Sequence, residues 1–309
     1  MLFSLCLCAL SAYTQEGPAF AKGAIESSRH WLDIDYVGDG IIGHKLDVHL
    51  PKTGSAPYPA VIAIYGSAWF SNSSKANTFS DGNIGQKLLE NGYAVVSINH
   101  RSSKDALFPA QIQDVKAAIR FIRANSASFS IDSNFIAITG WSSGGHLSAL
   151  AGTTNSVKRH QLKGQQVDIE GSLGNHTNTS SHIDAVVDWY GPTDFLIMDS
   201  CGSSFSHDDV KSPESSLIGG PIQDHKTEVA LANPITYVQK SNPPFLIIHG
   251  DKDPLVPHCQ SEKLFERLQE TGVESSLLIV QDGAHGPGVV TEKYLNEMIR
   301  FLNKCKANK

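Results

Sequence analysis

Nearly continuous apolar runs, separated by segments with helical periodicity, constrain the fold of this chain more than any other feature. The runs are "PAVIAIYG", "YAVVSINH", "FIAITGW", "IDAVVDWYG", "PPFLIIHGD" and "SSLLIVQ". Strands covered by helices on both faces have this composition, whereas half-exposed strands alternate apolar and polar residues. The pattern therefore predicts a sheet that is buried on both faces.

Helical segments stand between these runs. The most regular is "PAQIQDVKAAIRFIRANS", where Ile112, Val115, Ile119 and Ile122 recur at steps of three and four residues behind Pro109. Near the start, "WLDIDY" and "HKLDVHLP" alternate apolar and polar residues instead, which predicts an antiparallel opening pair. Strands alternating with helices predict an α/β fold with a mostly parallel, doubly wound sheet of about eight strands and helices on both faces.

The length of 309 residues fits one domain, which we place at 23–309. Residues 1–22 contain "MLFSLCLCALSA", an apolar run that ends in small residues, as a secretory signal does, and it is too short to span a bilayer. We therefore expect a secreted or periplasmic protein, although the lack of a preceding Lys or Arg leaves open a buried N-terminal piece. Segments 155–182 and 192–242 show weak periodicity, and we expect them to form cap-like insertions, the first as a long loop.

Composition argues against several classes of protein. A formal net charge of −6 and no massed Lys or Arg predict that the chain does not bind nucleic acid. The five cysteines lack metal-type spacing, and the nucleotide motifs G-x-G-x-x-G and G-x-x-x-x-G-K-[ST] are absent, so we expect neither a metal nor a cofactor. Cys201 and Cys259 could pair in an exported protein or could both remain reduced.

The segment "ITGWSSGGH" contains the pattern G-x-S-x-G, with Ser142 at its centre. It lies between a predicted buried strand and a predicted helix, where a sharp turn raises a nucleophilic hydroxyl above the carboxyl ends of the strands. Gly140 and Gly144 supply the space that such a turn needs. The backbone amide of Ser143, at the start of the helix, would face the oxyanion of a tetrahedral intermediate.

A serine hydroxyl needs a base, and the base needs an orienting acid. "LIIHGDKDPLVP" and "LLIVQDGAHG" each follow a later strand, and they supply Asp253 and His285 in the order Ser, Asp, His. Asp253 is preferred as the acid because it lies further beyond the strand end than Asp251, which we expect to shape the turn. We therefore predict a triad of Ser142, Asp253 and His285.

A second oxyanion donor is expected in the loop after an early strand, which here reads "YGSAWFS". The donors in such loops are backbone amides, so we predict Ala68, with Ser67 as the other candidate.

These motifs together resemble those of α/β hydrolases, specifically the carbohydrate-esterase group related to bacterial feruloyl and acetyl xylan esterases, and more distantly hormone-sensitive-lipase-type esterases. The segments that carry the resemblance are "LDVHLP", "YGSAWFS", "GWSSGGHLSAL", "DAVVDWYGPTDF", "NPPFLIIHGDKDPLVP" and "DGAHG". The chain departs from the lipase-like relatives at Tyr65, where they have His, and at Ser67, where they have Gly.

The resemblance implies hydrolysis of short or aromatic acyl esters, on small esters or on esterified plant cell-wall polysaccharide. It also makes the aromatic residues near the predicted site loops candidates for stacking on a feruloyl or sugar ring; these are Trp69, Phe70, Trp141 and Trp189. His146 is expected to support the structure rather than to act as a second base.

Two alternatives remain open at this point. "GWSxGG" also occurs in prolyl-oligopeptidase-like serine peptidases, although this chain has no room for their accessory β-propeller. A carbohydrate-binding protein could also keep the fold and lack the chemistry, because a fold alone does not prove activity.

Overall fold

The computed structural model describes residues 24–309, so the predicted leader at 1–22 lies outside the described residues. Strands and helices alternate through most of this range. The strands are β1 (Arg29–Asp35), β2 (Lys45–Leu50), β3 (Tyr58–Ile64), β4 (Ala94–Ile98), β5 (Ile131–Trp141), β6 (Arg159–Leu162), β7 (Gln165–Asp168), β8 (Val186–Trp189), β9 (Phe245–Gly250) and β10 (Ser275–Val280). The α-helices are α1 (Ile84–Glu90), α2 (Ala110–Ala124), α3 (Ser143–Thr153), α4 (Pro213–Ile218), α5 (Lys226–Ala232), α6 (Cys259–Thr271) and α7 (Glu292–Ala307).

Eight strands form one sheet in the order β1-β2-β4-β3-β5-β8-β9-β10. β1 and β2 are antiparallel to each other, β2 is antiparallel to β4, and the remaining neighbours are parallel. The predicted α/β fold, with its antiparallel opening pair and about eight strands, is confirmed. It is the α/β-hydrolase fold.

The helices cover both faces of the sheet. Apolar residues of α2, α3 and α6 pack in one buried cluster, and those of α1 and α7 pack in a second cluster. Alternate residues of β3 point to the two sides, since Ile62 belongs to the first cluster and Val61 to the second. Burial on both faces explains why the central strands are apolar at nearly every position.

The segment 155–182 differs from the expected long loop, because it contains an antiparallel hairpin of β6 and β7. Lys163 and Gly164 connect the two strands, and both have positive φ angles, 47° and 86°. Positive φ at both central residues is the geometry that two-residue hairpin turns favour. The strands have four residues each and are largely polar, so their alternation was too short to stand out in the sequence.

The segment 192–242 consists of short helices and turns, including α4 and α5. Cys201 in this segment forms a disulfide with Cys259 at the start of α6, while Cys305 is free and buried. The pairing that the sequence left open is therefore formed in the structure. In the described part of the chain, no helix combines the length and apolar character needed to cross a membrane.

Candidate active site

Ser142 occupies a sharp turn between β5 and α3. Its φ and ψ angles are 56° and −124°, which lie outside the regions that residues other than glycine normally adopt. The turn is held because the amide of Ser142 donates to the carbonyl oxygen of Trp189 at 2.9 Å and the amide of His146 donates to the carbonyl oxygen of Ser142 at 3.0 Å. Backbone strain of this kind is typical of functional sites.

The turn packs so closely against β3 and its following loop that side chains are excluded at two glycines. A Cβ atom on Gly144 would lie 2.2 Å from the carbonyl oxygen of Ile64, and one on Gly66 would lie 2.9 Å from the Cβ atom of Ser142. The backbone of the loop at 65–69 therefore lies directly against Ser142.

Asp253 and His285, in the loops that follow β9 and β10, are in direct contact. The Nδ1 atom of His285 lies 2.7 Å from Oδ2 of Asp253. Burial by itself raises the pKa of this carboxyl group, but hydrogen bonds from His249 and His285 outweigh burial and hold the pKa well below its usual range. An ionised carboxylate only accepts hydrogen bonds, so Nδ1 of His285 carries the proton and Nε2 is left free to accept one.

The carboxylate of Asp253 is fixed by several further groups. Its Oδ1 atom accepts hydrogen bonds from the amides of Leu255 and Val256, both at 2.9 Å. Nε2 of the buried His249 lies 3.3 Å from Oδ2 and 2.8 Å from the carbonyl oxygen of Val256. Sequence reasoning missed His249, although a histidine within the apolar run "FLIIHG" of β9 is the kind of signal that could have revealed it.

The loop at 65–69 brings backbone amides to a cavity that Ser142 also lines. The amide of Ser67 donates to Oγ of Ser143 at 2.9 Å, so the prediction of Ser67 as an oxyanion donor is wrong. The amide of Ala68 has no acceptor among the residues that the structure describes, and Ala68 lines the same cavities as Ser142. The amide of Ser143, at the first position of α3, also lacks a partner within its helix.

Two cavities meet at Ser142, His285 and Ala68. One, of about 550 Å³, extends beneath the segment 192–242, here called the cap segment, and is lined by residues between Phe205 and Glu214. The other, of about 790 Å³, is lined by Trp141, Tyr190 and the loop that follows His285. Within residues 24–309 no cluster of three or more metal-ligating side chains occurs.

The four predicted aromatic contacts have different positions. Trp189 is fully buried, lines neither cavity, and its indole donates to Oγ1 of Thr139 at 3.2 Å, so its predicted contact with substrate is wrong. Trp69 is 1% exposed but lines the smaller cavity, so its predicted contact stays a prediction. Both side chains pack into the clusters that cover the sheet. Phe70 is exposed but lies outside both cavities, while Trp141 lines the larger one.

Comparison with solved structures shows close relatives of this fold. A structure described as a truncated carbohydrate esterase from gut microbiota is 47% identical, with a TM-score of 0.88, and the match covers 92% of this chain and 99% of that one. A structure described as a bifunctional GH43-CE from Bacteroides eggerthii is 49% identical, with a TM-score of 0.85, over 89% of this chain and 35% of that one.

Curated proteins include related esterases. Esterase LipC of Mycobacterium tuberculosis is 33% identical, and the match covers 80% of this chain and 59% of LipC; for LipQ of the same organism the values are 30%, 74% and 49%. The chain thus spans about half to three fifths of the length of the curated relatives it matches. The BD-FAE family model matches residues 46–268, which include Ser142 and Asp253. The chain therefore belongs to the BD-FAE family of α/β hydrolases.

Proposed function

We propose that the chain is a serine esterase, in which Ser142 is the nucleophile, His285 the base and Asp253 the orienting acid. The observation that carries the proposal is the position of His285, whose Nδ1 is held by a buried, ionised Asp253 while its ring lines the same two cavities as Ser142. The family and the related proteins named esterases support the same reaction class.

The reaction would proceed through an acyl-enzyme. His285 Nε2 accepts the hydroxyl proton as Oγ of Ser142 bonds to the acyl carbon, and it returns the proton to the departing alcohol oxygen. The amides of Ala68 and Ser143 donate to the oxyanion of the tetrahedral intermediate. In the second half of the reaction, water attacks the acyl carbon as His285 takes its proton. The bond from the acyl carbon to Oγ of Ser142 then breaks, His285 returns the proton to Oγ, and the carboxylic acid is released.

We propose feruloyl or acetyl groups on plant cell-wall polysaccharide as the ester. Two cavities meeting at Ser142 can separate the acyl group from the alcohol, and each is much larger than an acetyl group needs. A disulfide between Cys201 and Cys259 supports the proposal of a secreted or periplasmic protein, because such bonds persist in oxidising compartments.

Substitution of the nucleophile tests the proposed reaction. Ser142→Ala should lower turnover of p-nitrophenyl acetate by at least about 10⁴-fold, because the other two residues of the triad cannot act without the nucleophile. Ser148→Ala is the matched control, since Ser148 is a buried serine on α3 that lines neither cavity. Circular dichroism should be unchanged in both variants. Retained turnover in Ser142→Ala would contradict the assignment.

A substrate panel tests the proposed ester class. Initial rates on methyl ferulate, acetylated xylan, a long-chain ester and a proline-containing peptide amide should favour the first two. A preference for the peptide would indicate the peptidase alternative. No turnover of any of the four, together with no covalent labelling of Ser142 by a fluorophosphonate, would indicate a non-catalytic binding protein.

A further inference from the structure

The hydroxyl group of Ser143 has a role that is separate from its backbone amide. Ser143 is 1% exposed, and its Oγ accepts the amide hydrogen of Ser67 at 2.9 Å. The bond joins two segments that are 76 residues apart in the chain, namely the start of α3 and the loop that follows β3. It therefore connects the segment that carries the proposed nucleophile to the segment that carries the second proposed oxyanion donor.

The loop needs such a connection because its backbone is strained. Ala68 and Trp69 have φ angles of 52° and 58°, both in the left-handed region that disfavours residues with a Cβ atom. Two consecutive residues in this region cost roughly 1–3 kcal/mol each, so neighbouring groups must hold them in place. The strained pair follows directly after Ser67.

A second residue of α3 holds the other end of the strained pair. The indole of Trp69 donates to Nδ1 of His146 at 3.3 Å, and Nε2 of His146 lies 2.9 Å from the carbonyl oxygen of Ala232. Nδ1 acts as an acceptor and Nε2 as a donor, which is the neutral imidazole. Burial lowers the pKa of His146 to about 4, in agreement with this tautomer at neutral pH.

Ser143 and His146 are three residues apart, so they lie on one side of α3 and contact the loop on either side of Ala68. The amide of Ser67 is committed to Ser143, and the next amide along the chain, that of Ala68, has no acceptor in the described residues. Ala68 also lines both cavities together with Ser142. We infer that the Ser143 hydroxyl is a positioning group that fixes the Ala68 amide toward the oxyanion.

This inference rests on the proposed function, and Ser143→Ala tests it. Deleting one oxyanion donor from a serine hydrolase lowers kcat by about 10²–10³-fold. Ser143→Ala keeps both amides and loosens only one of them, so we expect kcat for p-nitrophenyl acetate to fall by about tenfold to thirtyfold, with KM changed by less than about twofold. Rates are normalised to the concentration of active sites titrated with a fluorophosphonate.

A tetrahedral mimic supplies a readout that a general structural role would not change. The inhibition constant of a trifluoromethyl ketone should rise in Ser143→Ala by about the same factor by which kcat/KM falls, because the mimic uses the same oxyanion donors. Ser143→Cys should give a smaller loss, since its thiol keeps the shape and is a weaker acceptor. It also provides the test if Ser143→Ala does not fold.

Ser148→Ala is the matched control on the same helix. Ser148 is fully buried, and its Oγ has no hydrogen-bond partner in the described residues, so truncation removes no bond. We expect its kcat and inhibition constant to be those of the wild type. If Ser143→Ala retains wild-type kcat, or if both variants lose activity equally, the inference is overturned. Lack of ester hydrolysis by the wild type would instead reject the proposed function.

Discussion

Tyr190 follows β8 with a φ angle of 44°, a conformation that is strained for any residue with a Cβ atom. Its ring centroid lies 4.7 Å from that of His285 in a T-shaped arrangement, and its side chain is 4% exposed. The ring thus fills the space beside the proposed base and limits how far the imidazole can turn. We expect this packing to orient His285.

Replacement of Tyr190 tests this role at the scale of one residue. Tyr190→Phe keeps the ring and should retain kcat within about twofold, whereas Tyr190→Leu should lower kcat by about fivefold, in line with the ~1 kcal/mol that an aromatic pair contributes beyond burial. Both substitutions keep a Cβ atom at the same φ, so backbone strain is matched. Equal kcat values for the two variants, measured on p-nitrophenyl acetate, would contradict an orienting role for the ring.

At the residue scale, sequence order predicted which side chains meet but not the direction of every group. Asp253 and His285 were found because each follows an apolar run that forms a strand, and parallel strands bring their carboxyl ends together. The direction of the backbone at Ala68 and Trp69 depends on two positive φ angles, which the letters "SAW" do not indicate. Trp189 belongs to the same apolar run as its neighbours, so its full burial follows only from the packed helices.

At the scale of elements, the cap segment is attached to the loop that carries the proposed acid. The amide of Ser204 donates to the carbonyl oxygen of Pro254 at 3.3 Å, and Nε2 of His207 lies 3.0 Å from the carbonyl oxygen of Leu255. The disulfide between Cys201 and Cys259 joins the same two segments. The smaller cavity lies between them, and its shape therefore depends on these contacts.

Removing the disulfide tests the attachment. Because the cysteines are separated by 58 residues, the double variant Cys201→Ser/Cys259→Ser should lose about 4 kcal/mol of unfolding free energy in a chain-entropy treatment. KM for methyl ferulate should rise several-fold while kcat/KM for p-nitrophenyl acetate stays within about twofold, since the small ester does not need the cap. Urea unfolding and steady-state kinetics provide the measurements. An unchanged KM for methyl ferulate would show that the cap does not contact the bulky substrate.

Strands and helices could be predicted from the sequence where they are long and buried, because their apolar residues then form a clear pattern. The five parallel strands at the centre have nearly continuous apolar runs, and the long helix α2 has a regular apolar repeat, so these elements were predicted. The hairpin of β6 and β7 was not, because four-residue polar strands gain their stability from packing against neighbouring segments; for example, the side chain of Gln113 on α2 donates to the carbonyl oxygen of Asp168.

At the scale of the whole molecule, the centre of the sheet contains the carboxyl group of Asp188. Asp188 lies in β8, beside Gly140 of β5 and Ile247 of β9, and it is fully buried. Its Oδ1 accepts the amide hydrogen of Gly191 at 3.0 Å, while Oδ2 has no partner in the described residues. Burial raises the pKa of Asp188 to about 7, although the hydrogen bond from Gly191 opposes the shift.

This shift makes the stability of the entire domain depend on pH. Between pH 4 and 7 the folded chain keeps the proton on Asp188, whereas the unfolded chain releases it. The contribution of Asp188 to the free energy of unfolding is therefore fully present below pH 4 and is lost as pH rises toward 7. The loss is up to about 1.4 kcal/mol per pH unit.

Asp188→Asn has nearly the same shape and does not titrate. From pH 5 to pH 8 the wild type should therefore lose about 3 kcal/mol relative to Asp188→Asn, as measured by urea unfolding of both proteins at the two pH values. The other titrating groups are the same in the wild type and in Asp188→Asn, so their effects cancel in the difference. If the free energies of unfolding of the two proteins change with pH in parallel, Asp188 is already ionised in the folded protein at pH 5.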